Sequence, residues 1–352
     1  MKHVTKIFLF IIKIAAILLA VMLLMSIAAC YISPVKYWIF QLFGLFFPAI
    51  FVSNIIVVII LRIMKSKIVY FNFVIFIISI LFWGRFFQFS GSKSDDEKNI
   101  KIISYNVHDF KNIDNYKATT YDEISTFLLA ENADIICLQE YSANNSEIKS
   151  HKILQKLHQE YQYIYGDYGG QKIFSKYPFE SENNFNFAGT RVVLTDININ
   201  GKIVRAYSCH LQSTNFNPDG TQQLLTSQNA NYTKELKRVV VNLRNAFKKR
   251  AKQVELIAQN IAKSPYPAIV CGDFNDTPMS YSYQKIKGKM NDTFIVAGGG
   301  MPNTYKKLFS FLRIDYIFTD KNIATVEYTV AKKIKYSDHY PVIVKLQLNN
   351  EK

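Results

Sequence analysis

The sequence predicts a mixed α/β (α+β) domain preceded by three transmembrane helices, and three observations carry that prediction. Residues 1–88 hold three long runs without a charge. From Asn99 onward, short apolar runs of strand character alternate with stretches of helical spacing, which implies one or two sheets covered by helices. Those strands end, one after another, on a polar residue of a chemically useful kind.

The uncharged runs cover residues 14–32, 37–61 and 68–84. A membrane crossing needs ~20 apolar residues, so the first two read as full spans and the third as an adequate one, with Arg85 snorkelling at its end. Trp38 and Trp83, the only tryptophans, fall at the ends of the second and third runs, where interfacial aromatics belong. Lys2, Lys6 and Lys13 precede the first run and Arg62, Lys65 and Lys67 fill the second loop, whereas the first loop holds only Lys36. Basic loops stay in the cytoplasm, so the expectation is a multi-pass membrane protein whose domain lies on the extracytoplasmic side. The segment "SIAAC" ending at Cys30 resembles a lipoprotein processing site, but two further spans would make a lipid anchor redundant.

Residues 89–98 are polar and without periodicity, and read as a linker. The domain follows over residues 99–348. "IKIISYNV" has strand character. The next stretch carries Ile124, Phe127 and Leu128 at helical spacing, and "ADIICLQE" is a strand again. "KIVRAYSCHLQ" and "YPAIVCGDF" flank a long helical stretch, and "LRIDYIFTD" and "YPVIVKLQL" close the domain.

The formal charge of +15 favours anionic partners such as nucleic acid, phospholipid headgroups or small phosphates. Of the four cysteines, Cys137, Cys209 and Cys271 sit inside strand-like runs, as buried thiols do. No pair of histidines stands with Cys or Glu at zinc spacing, which argues against a soft-metal site.

The polar strand ends are Asn106, Glu140, His210, Asp273 with Asn275, Asp315, and Asp338 with His339. Turn chemistry explains any one of them. Six strand ends carrying Asn, Glu, His and Asp together read as one site, because sheet proteins assemble sites from strand ends and the loops after them. The chemistry that needs this set is metal-assisted attack on a phosphate ester. Magnesium, with manganese as the alternative, takes oxygen ligands, for which Glu140 and Asp338 are suited. His339, oriented by Asp315, fits a general base that activates water. Asn275 and His210 fit groups that hold phosphoryl oxygens where charge develops.

The ordered set "SYNVHDF", "DIICLQE", "SCHLQ", "GDFNDTP", "RIDYIF" and "YSDHYP" resembles the endonuclease/exonuclease/phosphatase superfamily over residues 100–348. The resemblance implies a four-layered sandwich of two packed β-sheets with outer helices, and a magnesium-dependent phosphoester hydrolase. Carried over residue by residue, it makes Glu140 the principal metal ligand, with Asn106 and Asp338 assisting. It makes His339 the base and Asp315 its partner. Asp273 and Asn275 would align nucleophile and phosphate, and His210 would contact the phosphate. The lysine that apurinic endonucleases carry after the metal glutamate is absent from "LQEYSAN", and their tryptophan has no counterpart in this domain.

Residues 231–252 hold eight Lys or Arg and one acid, Glu235. The stretch reads equally as a footprint for a polyanion or anionic headgroups and as the solvated face of a helix that turns Val240, Leu243 and Phe247 inward. Three functional readings follow. The first is a membrane-anchored nuclease-type phosphodiester hydrolase. The second is a phospholipid or sugar-phosphate phosphodiesterase or phosphatase on the same fold. The third is an inactive binding or scaffold protein.

Overall fold

A computed structural model of the chain describes residues 2–93, 99–113, 115, 118–166, 170–187, 189–214, 232–307 and 312–348. The N-terminal region forms α1 (Lys2–Ala28), α2 (Pro34–Tyr37), α3 (Ile39–Leu45), α4 (Phe47–Ile63) and α5 (Ile68–Trp83). Helices α1, α4 and α5 pack on one another.

Three transmembrane helices are not what this region builds. Among the described residues, only α1 is long and apolar enough to cross a bilayer as one helix, over Leu9–Ala28 with mean hydropathy 2.7. The second expected span bends by 71° between α3 and α4. Pro48 stands in the first turn of α4, where its missing N–H costs nothing but where it cannot continue a helix from upstream. The third, α5, has 16 residues, ~24 Å at 1.5 Å each and short of a ~30 Å hydrocarbon layer.

Polarity in this bundle is reversed from that of helices in water. Ser26, Asn54, Asn72 and Ser79 are fully buried, and Asn54 Nδ2 crosses from α4 to donate to Leu19 O at 3.1 Å. Large apolar side chains such as Phe10, Ile56, Ile59, Phe73 and Val74 face outward, and Leu81 is 81 % exposed.

The remaining chain makes two six-stranded sheets among the described residues. In the first, the order is β11 (Ile323–Val330), β12 (Val342–Leu348), β1 (Ile100–Asn106), β2 (Ile135–Tyr141), β4 (Gly170–Ser175) and β3 (Tyr163–Gly166). In the second, it is β5 (Phe179–Phe187), β6 (Thr190–Ile199), β7 (Lys202–His210), β8 (Ala268–Asp273), β10 (Asp315–Thr319) and β9 (Asn291–Asp292). Each sheet has one parallel pair near its centre, β1 with β2 and β7 with β8.

Side chains alternate across each strand, and both faces are covered. Ile102, Ile135 and Cys137 meet Ala206, Ile269, Cys271 and Ile317 between the sheets. Ile103, Ile136 and Leu138 turn outward onto α6 (Tyr121–Glu131) and α8 (Lys152–Glu160), which follows the short α7 (Asn145–Ser150). Tyr207, Val270 and Phe318 turn onto α9 (Tyr232–Ala262) and α10 (Tyr281–Lys287), and α11 (Thr293–Ala297) caps one end through Phe294. Double coverage explains why these strands read as apolar runs rather than strict alternations, and it gives the layered helix–sheet–sheet–helix arrangement.

The helical region docks on the loop that follows β8. Arg85 does not snorkel outward: it donates to Pro278 O at 2.8 Å and Gln284 Oε1 at 2.9 Å, with its guanidinium over the Tyr283 ring. The Tyr281 N–H donates to Gln41 Oε1, and Met279 is buried among Leu23, Phe47 and Phe51. Gly44 permits the closest approach, since a Cβ there would fall 2.4 Å from Met279 O. Residues 94–98 of the polar stretch lie outside the described residues. In its earlier part, Ser92 N donates to Ala297 O and Ser92 Oγ to Val326 O.

Candidate active site

Strand register sets three of the groups side by side. On the second sheet, His210 pairs with Asp273 across the parallel β7–β8 ladder, and Asp273 pairs with Asp315 across the antiparallel β8–β10 ladder. On the first sheet, Asn106 ends β1 beside Gln139, and Asp338 and His339 precede β12. The sheets close at this rim through one amide. Asn106 Nδ2 donates to Glu140 Oε1 at 2.9 Å and, across the sheets, to Asp273 Oδ2 at 3.1 Å.

Backbone strain collects at the same place. Glu140, Asn275 and His108 hold left-handed φ values of 52°, 51° and 50°. Such conformations cost roughly 1–3 kcal/mol each in a non-glycine residue and persist only where surroundings over-determine them. At Glu140 the β2–β4 register slips between Leu138 and Tyr141, a bulge that re-aims the carboxylate out of the sheet. Gly272 lies at φ +145° against β7, where a Cβ would fall 1.9 Å from Cys209 O. Only glycine lets β8 carry Asp273 that close to His210.

Each group is held by others. Asn275 donates through its backbone N–H to Asp273 Oδ1 at 2.8 Å and through Nδ2 to Asp273 Oδ2 and Leu211 O. His339 Nδ1 faces Asp315 at 2.9 Å, and His339 Nε2 lies 3.7 Å from Asp273 Oδ2. Thr304 Oγ1 accepts the backbone N–H groups of Ile314 and Asp315, and the Tyr305 ring stands edge-on to His339. Ser337 Oγ donates to Asn106 O at 2.7 Å, tying the Asp338 loop to β1.

The electrostatics follow from crowding. Burial disfavours a charged Glu140, but His108, His210 and Asn106 outweigh it and hold the carboxyl down at about 2. Burial pushes Asp273 up to about 6, with His339 opposing and the neighbouring Asp315 reinforcing. Burial works against an imidazolium at His339, yet Asp315 and Asp273 raise it well above the usual histidine range. Asp273 Oδ2 and His339 Nε2 face each other across 3.7 Å.

A cation fits this donor set. Glu140, His210 and Asp273 each place one ligand atom within 4.8 Å of the others. His210 Nε2 is buried without a hydrogen bond, 3.4 Å from Glu140 and 3.6 Å from Asp273. His108 Nδ1 stands 3.7 Å from Glu140 Oε2 and 3.4 Å from Asp338 Oδ1, so two carboxylates converge on one positively disposed position. The hydrogen bond to Glu140 raises His108 above its ordinary range, against burial and with help from Asp338.

All eight residues singled out in the sequence line one rim: Asn106, Glu140, His210, Asp273, Asn275, Asp315, Asp338 and His339. Sequence reasoning missed His108, Thr304, Tyr305 and Ser337. His108 had a signal, two positions after Asn106 in the same motif, while Thr304 lies in a segment without periodicity and is recognisable only from its contacts. The inward residues expected on the basic stretch are half right. Phe247 is buried and Val240 and Leu243 are only half-buried, whereas Arg250, one of the basic residues, is buried and donates to Asp276 Oδ2 at 3.1 Å. Asn231 lies outside the described residues.

Comparison with known proteins agrees with this architecture. Residues 5–86 match the model of a domain of unknown function (DUF8431). No curated protein matches the chain. Among solved structures, the endonuclease/exonuclease/phosphatase from Bacteroides vulgatus aligns with TM-score 0.52 at 18 % identity, covering 72 % of this chain and 100 % of that one. A humanized D. rerio TDP2 aligns with TM-score 0.52 at 17 % identity, covering 71 % and 100 %. A mannosyl-6-phosphatase from Bacteroides thetaiotaomicron aligns with TM-score 0.50 at 16 % identity, covering 70 % and 99 %. At these identities the likeness is one of fold. The family itself is set by a sequence model that spans residues 103–339, nearly the whole two-sheet domain and with it every strand end described above, and the chain belongs to the Endonuclease/Exonuclease/phosphatase family.

Proposed function

We propose that the protein is a divalent-metal-dependent phosphoester hydrolase anchored to a membrane by its N-terminal helices. One observation carries the reading: Asp273 Oδ2 lies 3.1 Å from the amide that also holds Glu140 and 3.7 Å from His339 Nε2. An acidic cation site and a histidine–aspartate pair thus share one carboxylate.

Glu140 and Asp338, assisted by Asn106 and with His210 and Asp273 in reach of an ion at Glu140, would hold magnesium or manganese, which when bound neutralises phosphoryl charge. His339 is the base. Asp315 accepts from Nδ1, which fixes the tautomer and leaves Nε2 to take a proton from water. Asp273 orients Asn275, and Asn275 with His210 faces the phosphoryl oxygens. As water's oxygen bonds to phosphorus, its proton passes to His339. The P–O bond to the departing alcohol breaks, the leaving oxygen takes a proton from solvent, and His339 returns its own proton to solvent.

Membrane anchoring is supported by α1 and by the outward apolar faces of α4 and α5. Lys2, Lys6 and Lys13 at the start of α1 favour a cytoplasmic N-terminus. Helices α4 and α5 form a hairpin that leaves and rejoins the domain end of the bundle, where Phe47 and Phe86 stack. The domain then lies on the extracytoplasmic side whatever the depth of that hairpin.

The test is turnover of bis(p-nitrophenyl) phosphate by the full chain in detergent, with magnesium or manganese and with chelator. Metal-dependent release that H339A slows and that E140Q shows only at higher metal concentration is the expected result, and metal-independent release would refute it. A nuclease-type substrate has one observation in its favour, the exposed Lys234, Lys237, Arg238 and Arg244 on α9.

A further inference from the structure

The cavity over the catalytic rim, about 570 Å³, has two unlike sides. One is the rim itself, with His108, Glu140, Asp273, Asn275, Asp338 and His339. The other is apolar and comes from two distant parts of the chain: Leu45 and Phe46 at the α3–α4 corner, and Val239, Leu243 and Phe247 on α9. The α9 residues are spaced by four, so they form one stripe along one face. Phe247 is buried against the domain, while Val239 and Leu243 stay half-buried along the cavity.

The corner carries the apolar side further. Phe46 is 43 % exposed, and from it Val52, Ile56, Ile59 and Ile63 follow at helical spacing along the outside of α4, all of them exposed. An apolar line thus runs from the cavity mouth down the outer face of a helix in the anchoring bundle. A nucleic-acid strand could use the aromatic and cationic members of the lining, Phe46, Phe247, Tyr305, Arg250 and Lys307, but has no use for the aliphatic Leu45, Val239 and Leu243. A molecule with a phosphate at one end and hydrocarbon at the other uses both sides at once.

We propose that the cavity takes a membrane lipid phosphate ester, its phosphate on the catalytic rim and its hydrocarbon chain against Leu45, Phe46, Val239 and Leu243, entering along α4. This rests on the hydrolase reading above and adds the substrate class. The α3–α4 corner is then part of the substrate site as well as of the anchor. The exposed basic residues of α9, Lys234, Lys237 and Arg238, face an anionic bilayer surface in this arrangement rather than a polynucleotide.

The experiment uses the full chain in detergent with magnesium and a series of alkyl p-nitrophenyl phosphates from ethyl to octyl, all releasing the same p-nitrophenol. Burying a methylene favours binding roughly two- to four-fold, so kcat/KM should climb by about that factor per added carbon until the apolar side is filled. F46S and L243S should flatten the climb. The slope is a ratio within one preparation, so partial unfolding cancels, and partitioning into micelles would act equally on the variants. A flat series, or a slope unchanged in both variants, overturns the lipid assignment and leaves the hydrolase intact. Cleavage of a single-stranded DNA oligonucleotide faster than the octyl ester also overturns it. No metal-dependent turnover of any member, ethyl included, overturns the hydrolase reading itself.

Discussion

His339 Nδ1 faces both carboxylate oxygens of Asp315, at 2.9 and 3.1 Å, with both side chains buried. That contact presents Nε2 to the cavity. General-base catalysis is typically worth ~10²–10⁴-fold, so H339A should lower kcat by about that factor. D315N should fall short of it, because the ring stays while its preferred tautomer is lost. Steady-state kinetics on bis(p-nitrophenyl) phosphate would show the order, and equal rates for D315N and wild type would contradict the role given to Asp315.

Glu140 is the carboxylate that His108, His210 and Asn106 all face. Replacing it with glutamine removes the charge and keeps the shape. The magnesium concentration for half-maximal activity should rise in E140Q by more than the ~10–100-fold that loss of an outer-shell partner typically costs. A titration midpoint equal to that of wild type would remove Glu140 from the ligand set.

His158 predicts an acid-sensitive fold away from the site. Burial lowers its pKa from 6.5 to about 4, with Lys172 contributing, and the Tyr141 hydroxyl approaches Nε2 at 2.6 Å. Above pH 6.5 the ring is neutral in folded and unfolded chains alike and stability does not depend on it. Between 6.5 and about 4 the unfolded chain binds a proton that the native state refuses, so stability falls as pH falls. After allowance for solvent at this half-buried ring the loss is on the order of 1–2 kcal/mol. H158Q keeps an acceptor for Tyr141 and should remove that part of the slope in urea melts at pH 4.5 and 7.5. An identical slope in the variant would exclude His158 as its source.

Gly272 should tolerate no side chain. With φ at +145° and Cys209 O 1.9 Å from a Cβ position, G272A forces β7 and β8 apart beneath His210 and Asp273. The cost should exceed about 3 kcal/mol, measured as the shift in urea midpoint, and residual folded protein should have lost activity. A wild-type midpoint would mean that this contact relaxes freely.

The polar rim was legible because an apolar run that ends on Glu, His or Asp has to deliver that group to a sheet edge. Apolar runs such as "IIC" and "AIV" fixed the strands, and Asn106, Glu140 and Asp273 came with them. The pairing of Asp273 with both His210 and Asp315 was not legible, because it depends on strand order. The β5–β6 hairpin escaped notice because "FESENNFNF" is a polar strand at a sheet edge, whose half-buried positions Phe179, Ser181 and Asn183 include a single apolar residue. The bent second span escaped because hydropathy sums over a window and cannot register a corner made of Gly44, Leu45, Phe46 and Phe47. Pro48 was the one local signal. For the same reason, nothing in the sequence placed Phe46 near Leu243, some two hundred residues away.

The clasp of Arg85, Gln41 and Gly44 on the loop after β8 has a practical corollary. A secreted-style fragment starting near Asn99 would retain every acidic and imidazole group of the rim, yet it would open the cavity where Leu45 and Phe46 had stood. Rates and preferences measured on such a fragment would describe a different enclosure from the one this chain forms.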